Sequence, residues 1–210
     1  MTRVSSSRWM SAARLLLLLV LLALLVQSQQ KIARLEQKMG ESWANEFSIS
    51  VLDGIYWVRE DLEKWAQADL VTAEEFGYMR SRIERLGAIL NNNVSSYKMV
   101  YPRAQVTVPK QFINEYLPEV KNDLIRMSKH ERDGSGVWHP SDDDREVLLQ
   151  YAEDFAALEH LIRRHFPGWD RGFEELLGSR YFGRSFITNA KMWIGFVNEL
   201  DDVAAKFIYR

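Results

Sequence analysis

The sequence predicts an all-α protein, with an N-terminal membrane helix followed by an antiparallel bundle of four to five helices. Three observations carry this reading. Apolar residues recur at three- and four-residue steps through several long segments. Helix starts are marked by capping signatures at Thr72-Ala-Glu-Glu75 and at Ser141. The first segment emerges from an almost pure leucine run, Leu15–Val26, stronger than a secretory leader needs.

The N-terminus sets the first element. Twelve apolar residues span only ~18 Å as helix, short of the ~30 Å hydrocarbon core. Counting from Trp9 to Val26 gives 18 residues whose one charge, Arg14, snorkels toward the headgroups. A signal peptide cleaved after Ser28 is the rival reading. The anchor is favoured because helical periodicity continues without pause. Ile32, Leu35, Met39, Trp43, Phe47, Val51, Ile55, Val58, Leu62 and Trp65 follow at a mean step of about 3.67 residues. Gly40 and Gly54 are the weak points of that helix.

The implied organisation is a short cytoplasmic N-terminus over 1–8, a transmembrane signal-anchor over 9–28 and an extracytoplasmic helical domain over 29–210. Lys31, Arg34 and Lys38 balance the three arginines on the other flank. The first 14 residues hold no acid, which favours N-inside.

Thr72 opens a second helix with Phe76, Met79, Ile83, Leu86 and Leu90 on its apolar face, and Asn91-Asn92-Asn93 is expected to end it. Tyr97–Tyr101 and Ala104–Val108 flank Pro102-Arg103 and read equally as a small β-hairpin near 97–108 or as an extended loop. Pro109 suits the first turn of the next helix, whose stripe is Phe112, Leu117, Val120, Leu124 and Met127. Pro118 should kink that helix or shift its start.

After an irregular stretch from Lys129 to Asp144, Ser141 caps a helix with Asp142, Asp143 and Asp144 in its first turn. Leu148, Tyr151, Phe155, Leu158 and Ile162 form its stripe, and Pro167-Gly168 ends it. A short helical piece near 170–177 leads to a strict heptad over Phe186, Ala190, Trp193, Val197, Leu200, Ala204 and Phe207.

Composition excludes several functions. The chain contains no cysteine, so a disulfide scaffold, a thiolate nucleophile and an iron–sulfur cluster are ruled out. Net charge is −2 overall, with −7 over residues 41–75 and +5 over 76–132. Opposite neighbouring charges suit pairing within one fold, and no basic-aromatic cluster suggests nucleic acid. The phosphate-loop, dinucleotide, nucleophile-elbow and zincin signatures are missing. Nothing in the sequence supports an enzyme, a cofactor or a metal.

His160 and His165 stand five apart and do not share a helix face, and His165 suits the last carbonyls of its helix. Trp43, Trp57 and Trp65 cluster on one side of the first helix and read as core. Glu159 and Arg163 read as a surface i, i+4 pair. Asn93-Val-Ser95 matches a glycosylation sequon.

The concentration of His130, Asp133, Trp138, His139, Asp142, Asp143 and Asp144 in one irregular segment marks it as the candidate partner-binding loop. The expected role is therefore a non-catalytic interaction or assembly subunit of a bacterial envelope complex, anchored in the cell membrane by a single pass. Its partners would be the bilayer through 9–28 and a protein in or at the membrane, with a homo-oligomer through the C-terminal heptad as a further expectation. The alternative is a secreted or periplasmic bundle that senses or carries a small hydrophobic ligand.

Overall fold

A computed structural model describes residues 3–130, 136–166 and 191–209. Its elements are α1 (Arg3–Phe47), a π-helical turn over Ser48–Leu52, α2 (Asp53–Gln67), α3 (Ala73–Val100), a second π-helical turn over Phe112–Tyr116, α4 (Leu117–His130), α5 (Asp142–His165) and α6 (Lys191–Ile208). Among the described residues there is no strand. The expected helical piece near 170–177, Pro167-Gly168 and the heptad's Phe186 and Ala190 lie outside the described residues.

α1, the first π turn and α2 form one unbroken helical path, so neither Gly40 nor Gly54 interrupts it. The reason for the π turn is legible in the stripe. Met39, Trp43, Phe47, Val51 and Ile55 are separated by four residues each time. In a pure α-helix each such step drifts by ~40° around the axis. A π turn holds more residues per turn and absorbs the drift. The Asp53 N–H donates to Ser48 O across it. Phe47, Val51, Leu52 and Ile55 consequently all face the core.

The lower part of the predicted stripe behaves differently. Ile32 and Leu35 are exposed, Met39 and Trp43 pack partly, and the buried face begins at Gly40 and continues through Ala44 and Phe47. Trp57 is also a correction. It points outward, 49% exposed, while Trp65 is in the core.

α3 runs past the three asparagines to Val100, contrary to expectation. Asparagine costs only a few tenths of a kcal/mol in a helix, ~0.7 at most. Burial of Val94 and Tyr97 outweighs that, with the Tyr97 ring edge-on to Trp193 at 4.9 Å. The β-hairpin near 97–108 does not form. Its first half is helical, and Tyr101–Pro109 runs without regular structure. An α6 side chain takes the place of a strand partner. Asn198 Oδ1 accepts from Thr107 N at 3.1 Å, and its Nδ2 donates to Gln105 O at 2.9 Å.

The next helix starts after Pro109 as predicted, and Asp201 of α6 accepts from Phe112 N at 3.0 Å. Pro118 acts through the second π turn. Leu117 N–H reaches back to Phe112 O, and Pro118 has no N–H with which to continue the ladder.

The stripes of α3, α4, α5 and α6 meet in one core with α2, which packs mainly on α5. Phe47 sits at its centre, its ring 5.9–6.2 Å from those of Phe166, Trp193 and Phe196. The heptad residues Trp193, Val197, Leu200 and Ala204 are buried in this core, so that face is spent within the chain.

Candidate functional site

The segment singled out by the sequence folds as a corner that ties α2 to α5. The capping box expected at Thr72 is present, and the cap expected at Ser141 proves to be a capping box as well. Thr72 Oγ1 accepts from Glu75 N at 3.2 Å, and Ser141 Oγ accepts from Asp144 N at 3.2 Å. In return the Asp144 carboxylate accepts from Ser141 N at 3.1 Å. Asp144 is therefore committed to the helix start, whereas Asp142 and Asp143 face solvent.

Trp138 is buried. It exchanges backbone hydrogen bonds with Val71 at 2.8 and 2.9 Å and stands edge-on to Trp65 at 6.1 Å. Its indole N–H has no acceptor among the described residues. His139 is exposed, and its Nδ1 is 2.9 Å from Asp69 O. Arg145 completes the corner by donating to Ala66 O at 2.7 Å, at the carbonyl end of α2. His130 ends α4, and Asp133 lies outside the described residues. The surface that remains for a partner here is His139, Asp142 and Asp143, held in place by Trp138 from beneath.

Glu75 is pulled down to about 2, chiefly by the Lys64 ammonium that donates to it at 2.7 Å and then by the Thr72 backbone N–H. Asp61 moves the other way, because burial outweighs its pairing with Arg82. That pair joins the acidic segment to the basic one, as the charge pattern suggested.

Two clefts were not visible in the sequence. The first, about 240 Å³, lies beside the Ser48–Leu52 π turn and is lined by Ile49, Ser50, Asp53, Gly54, Trp57, Arg82 and Arg85. Trp57 and Ile49 are both about half exposed, and the Arg82 guanidinium lies 5.8 Å from the Trp57 ring centre. Ser50 Oγ is buried without a partner among the described residues. Aromatic and arginine side chains around a partly apolar hollow are the usual anchors of protein contacts.

The second cleft, about 340 Å³, opens between α4, α5 and α6. Its lining combines Tyr116, Tyr151, Val147 and Phe207 with Gln150 and the carboxyl groups of Glu119, Glu146 and Asp154. Asp154 is buried and accepts from Tyr116 OH at 3.2 Å. Burial raises the Tyr151 phenol above its ordinary range, helped by its 2.7 Å hydrogen bond to Asp123. Three acids and three aromatic rings suit a cationic group better than a purely apolar one.

Glu159 corrects the expectation of a surface pair. Its carboxyl group is 3% exposed and lies 2.7 Å from Arg59 Nε of α2, with Arg163 at 3.4 Å. Burial pushes it above the usual carboxylate range despite both arginines. The signal was absent from the sequence because Arg59 stands on a different helix. His165 also departs from its expected role. Its Nε2 is 2.9 Å from Glu199 Oε1, and the ring rests on Gly195 of α6.

Asn93 is buried in α3, which closes the sequon to modification in the folded chain. No group of three or more His, Asp or Glu side chains fit to hold a metal ion occurs among the described residues. No protein-family description, curated protein or solved structure matches this chain.

Proposed function

We propose that this protein is a single-pass anchored subunit of a bacterial envelope, with an extracytoplasmic antiparallel helical bundle that works as a non-catalytic interaction or assembly module. One observation carries the reading. Leu15–Val26 is exposed along its whole length, yet it belongs to the same helix that enters the core at Ala44 and Phe47. This is one stretch long and apolar enough to cross a membrane, and none of it is covered by the rest of the chain. Water does not tolerate such a surface, and a bilayer removes it.

In this reading residues 1–8 lie in the cytoplasm, 9–28 span the membrane and 29–210 lie outside. Confinement to the membrane raises the effective concentration of the bundle for a membrane-bound partner. The partner surfaces are the corner of His139, Asp142 and Asp143 and the Trp57 cleft with Arg82 and Arg85.

The ligand-binding alternative draws on the cleft between α4, α5 and α6. Its three carboxyl groups shift that reading from a purely hydrophobic ligand toward an amphiphilic amine. An intact mass of the native protein from separated membrane and soluble fractions tests the main proposal. A membrane species retaining residues 1–28 supports it. A soluble species beginning at Gln29 overturns it and leaves the ligand reading in its place.

A further inference from the structure

Between the apolar run and the core, α1 carries a stretch that touches little else. Ile32 and Leu35 are 50% and 53% exposed, although both lie beyond Val26 on the watery side of the anchor. Single exposed apolar residues need no explanation. These two belong to a longer register. Leu18, Leu21, Leu25, Ser28, Ile32 and Leu35 alternate steps of three and four without an exception. That is a heptad seam with Leu18, Leu25 and Ile32 at a and Leu21, Ser28 and Leu35 at d. In the same frame Lys31 occupies g and Glu36 occupies the following e. A parallel two-stranded coiled coil pairs each g residue with the next e residue of its partner, so two parallel copies of this sequence bring Lys31 and Glu36 into two complementary pairs.

We propose that the protein forms a parallel homodimer through this seam of α1, starting in the membrane and closing at Leu35, with Lys31 of each copy paired to Glu36 of the other. The proposal rests on the anchored reading, because two copies inserted the same way are held parallel and at high local concentration. Geometry permits it. The face of α1 that meets its own core, Gly40, Ala44 and Phe47, is turned roughly a third of the way round the helix from the seam. A two-fold axis along α1 therefore places the two helical bodies on opposite sides of the helix pair. Glu36 already accepts from Tyr101 OH at 3.4 Å, and a carboxylate takes several donors at once. Above Leu35 the seam ends, since Met39 packs on the chain's own core.

The absence of cysteine makes the test clean. Single substitutions Ser28→Cys, Ile32→Cys and Leu35→Cys mark the seam, and Gln30→Cys, Arg34→Cys and Gln37→Cys mark the opposite face. Each full-length variant is oxidised mildly in membranes of the expressing cells, and the adduct is weighed. The expected result is a disulfide species of twice the chain mass at 28, 32 and 35 and its loss at 30, 34 and 37. Lys31→Glu should weaken the Leu35→Cys adduct, and adding Glu36→Lys should restore it. Equal crosslinking at all six positions, or none at 32 and 35 in chain that is found in the membrane, overturns the seam alone. Chain absent from the membrane overturns the anchor and the seam together. An adduct to a protein of another mass identifies a different occupant and overturns the homodimer.

Discussion

The contact between Arg59 and Glu159 is the place to test whether ionic pairing across α2 and α5 matters. The perturbation is Arg59→Met, which keeps the length of the stem and removes the guanidinium. Glu159 would then be a carboxyl group 3% exposed, with Arg163 at 3.4 Å as its remaining counter-charge among the described residues. Removing one member of a buried pair costs ~3–5 kcal/mol. Here Arg163 remains and the Arg59 side chain is 22% exposed, so the loss should fall at or just below that range, at ~2–3 kcal/mol.

The pH dependence gives a second handle. The folded-state value of Glu159 lies above its unfolded value, so its contribution to stability is intact at low pH and is lost as pH rises through the raised value. Without Arg59, the neighbouring Glu60 and Glu63 push it higher still. The deficit of Arg59→Met should therefore be largest at pH 8 and shrink as pH falls, as protonation relieves the buried charge. Guanidinium unfolding of the full chain in detergent micelles, followed by the fluorescence of buried Trp65, Trp138 and Trp193, measures it. The double variant Arg59→Met with Glu159→Met should recover most of the stability, since well-packed apolar residues commonly replace a buried pair at little cost. A loss below ~1 kcal/mol at pH 8, or one that does not shrink as the pH is lowered, would refute the reasoning.

Two further outcomes follow from the geometry. Gly195→Ala would place a Cβ 2.8 Å from His165 Cε1, so the ring or α6 must shift and the contact with Glu199 is disturbed. A destabilisation of ~1–3 kcal/mol is expected by thermal unfolding, relieved when His165→Ala is added. Glu75, held at about 2, contributes stability that is present above its unfolded value near 4.5 and is lost as pH falls through about 2. Because the side chain is 34% exposed and its Lys64 partner more so, screening reduces the effect to ~1 kcal/mol. Glu75→Gln keeps the reciprocal cap and removes the charge, so the variant and the parent should differ at pH 7 and converge toward pH 2.

Periodicity and caps alone determined that this chain is all-α, where α3 and α5 begin, and most of the apolar stripe that each of α3, α4, α5 and α6 turns to the core. Those features depend on spacing within one segment, and one segment is what a sequence displays. Even the first π turn left a local trace, in the unbroken four-residue steps from Met39 to Ile55. Other features were decided only when helices met. The asparagine run stays helical because Tyr97 and Val94 find a core on α1 and α6. Tyr101–Pro109 forgoes a hairpin because Asn198, about ninety residues later, supplies its hydrogen bonds.

The same division governs the candidate sites. Ser141 showed its capping role by its place just before the helix, whereas the reciprocal cap from Asp144, expected on the partner loop, appeared only in the folded chain. Trp138 read as part of an exposed loop until Val71 and Trp65 closed over it. Glu159 looked like half of a surface pair because Arg163 is its neighbour along the helix, while its closest partner, Arg59, comes from a hundred residues earlier. Local spacing encodes which face of a helix is apolar, but burial of a charge depends on what the facing helix presents.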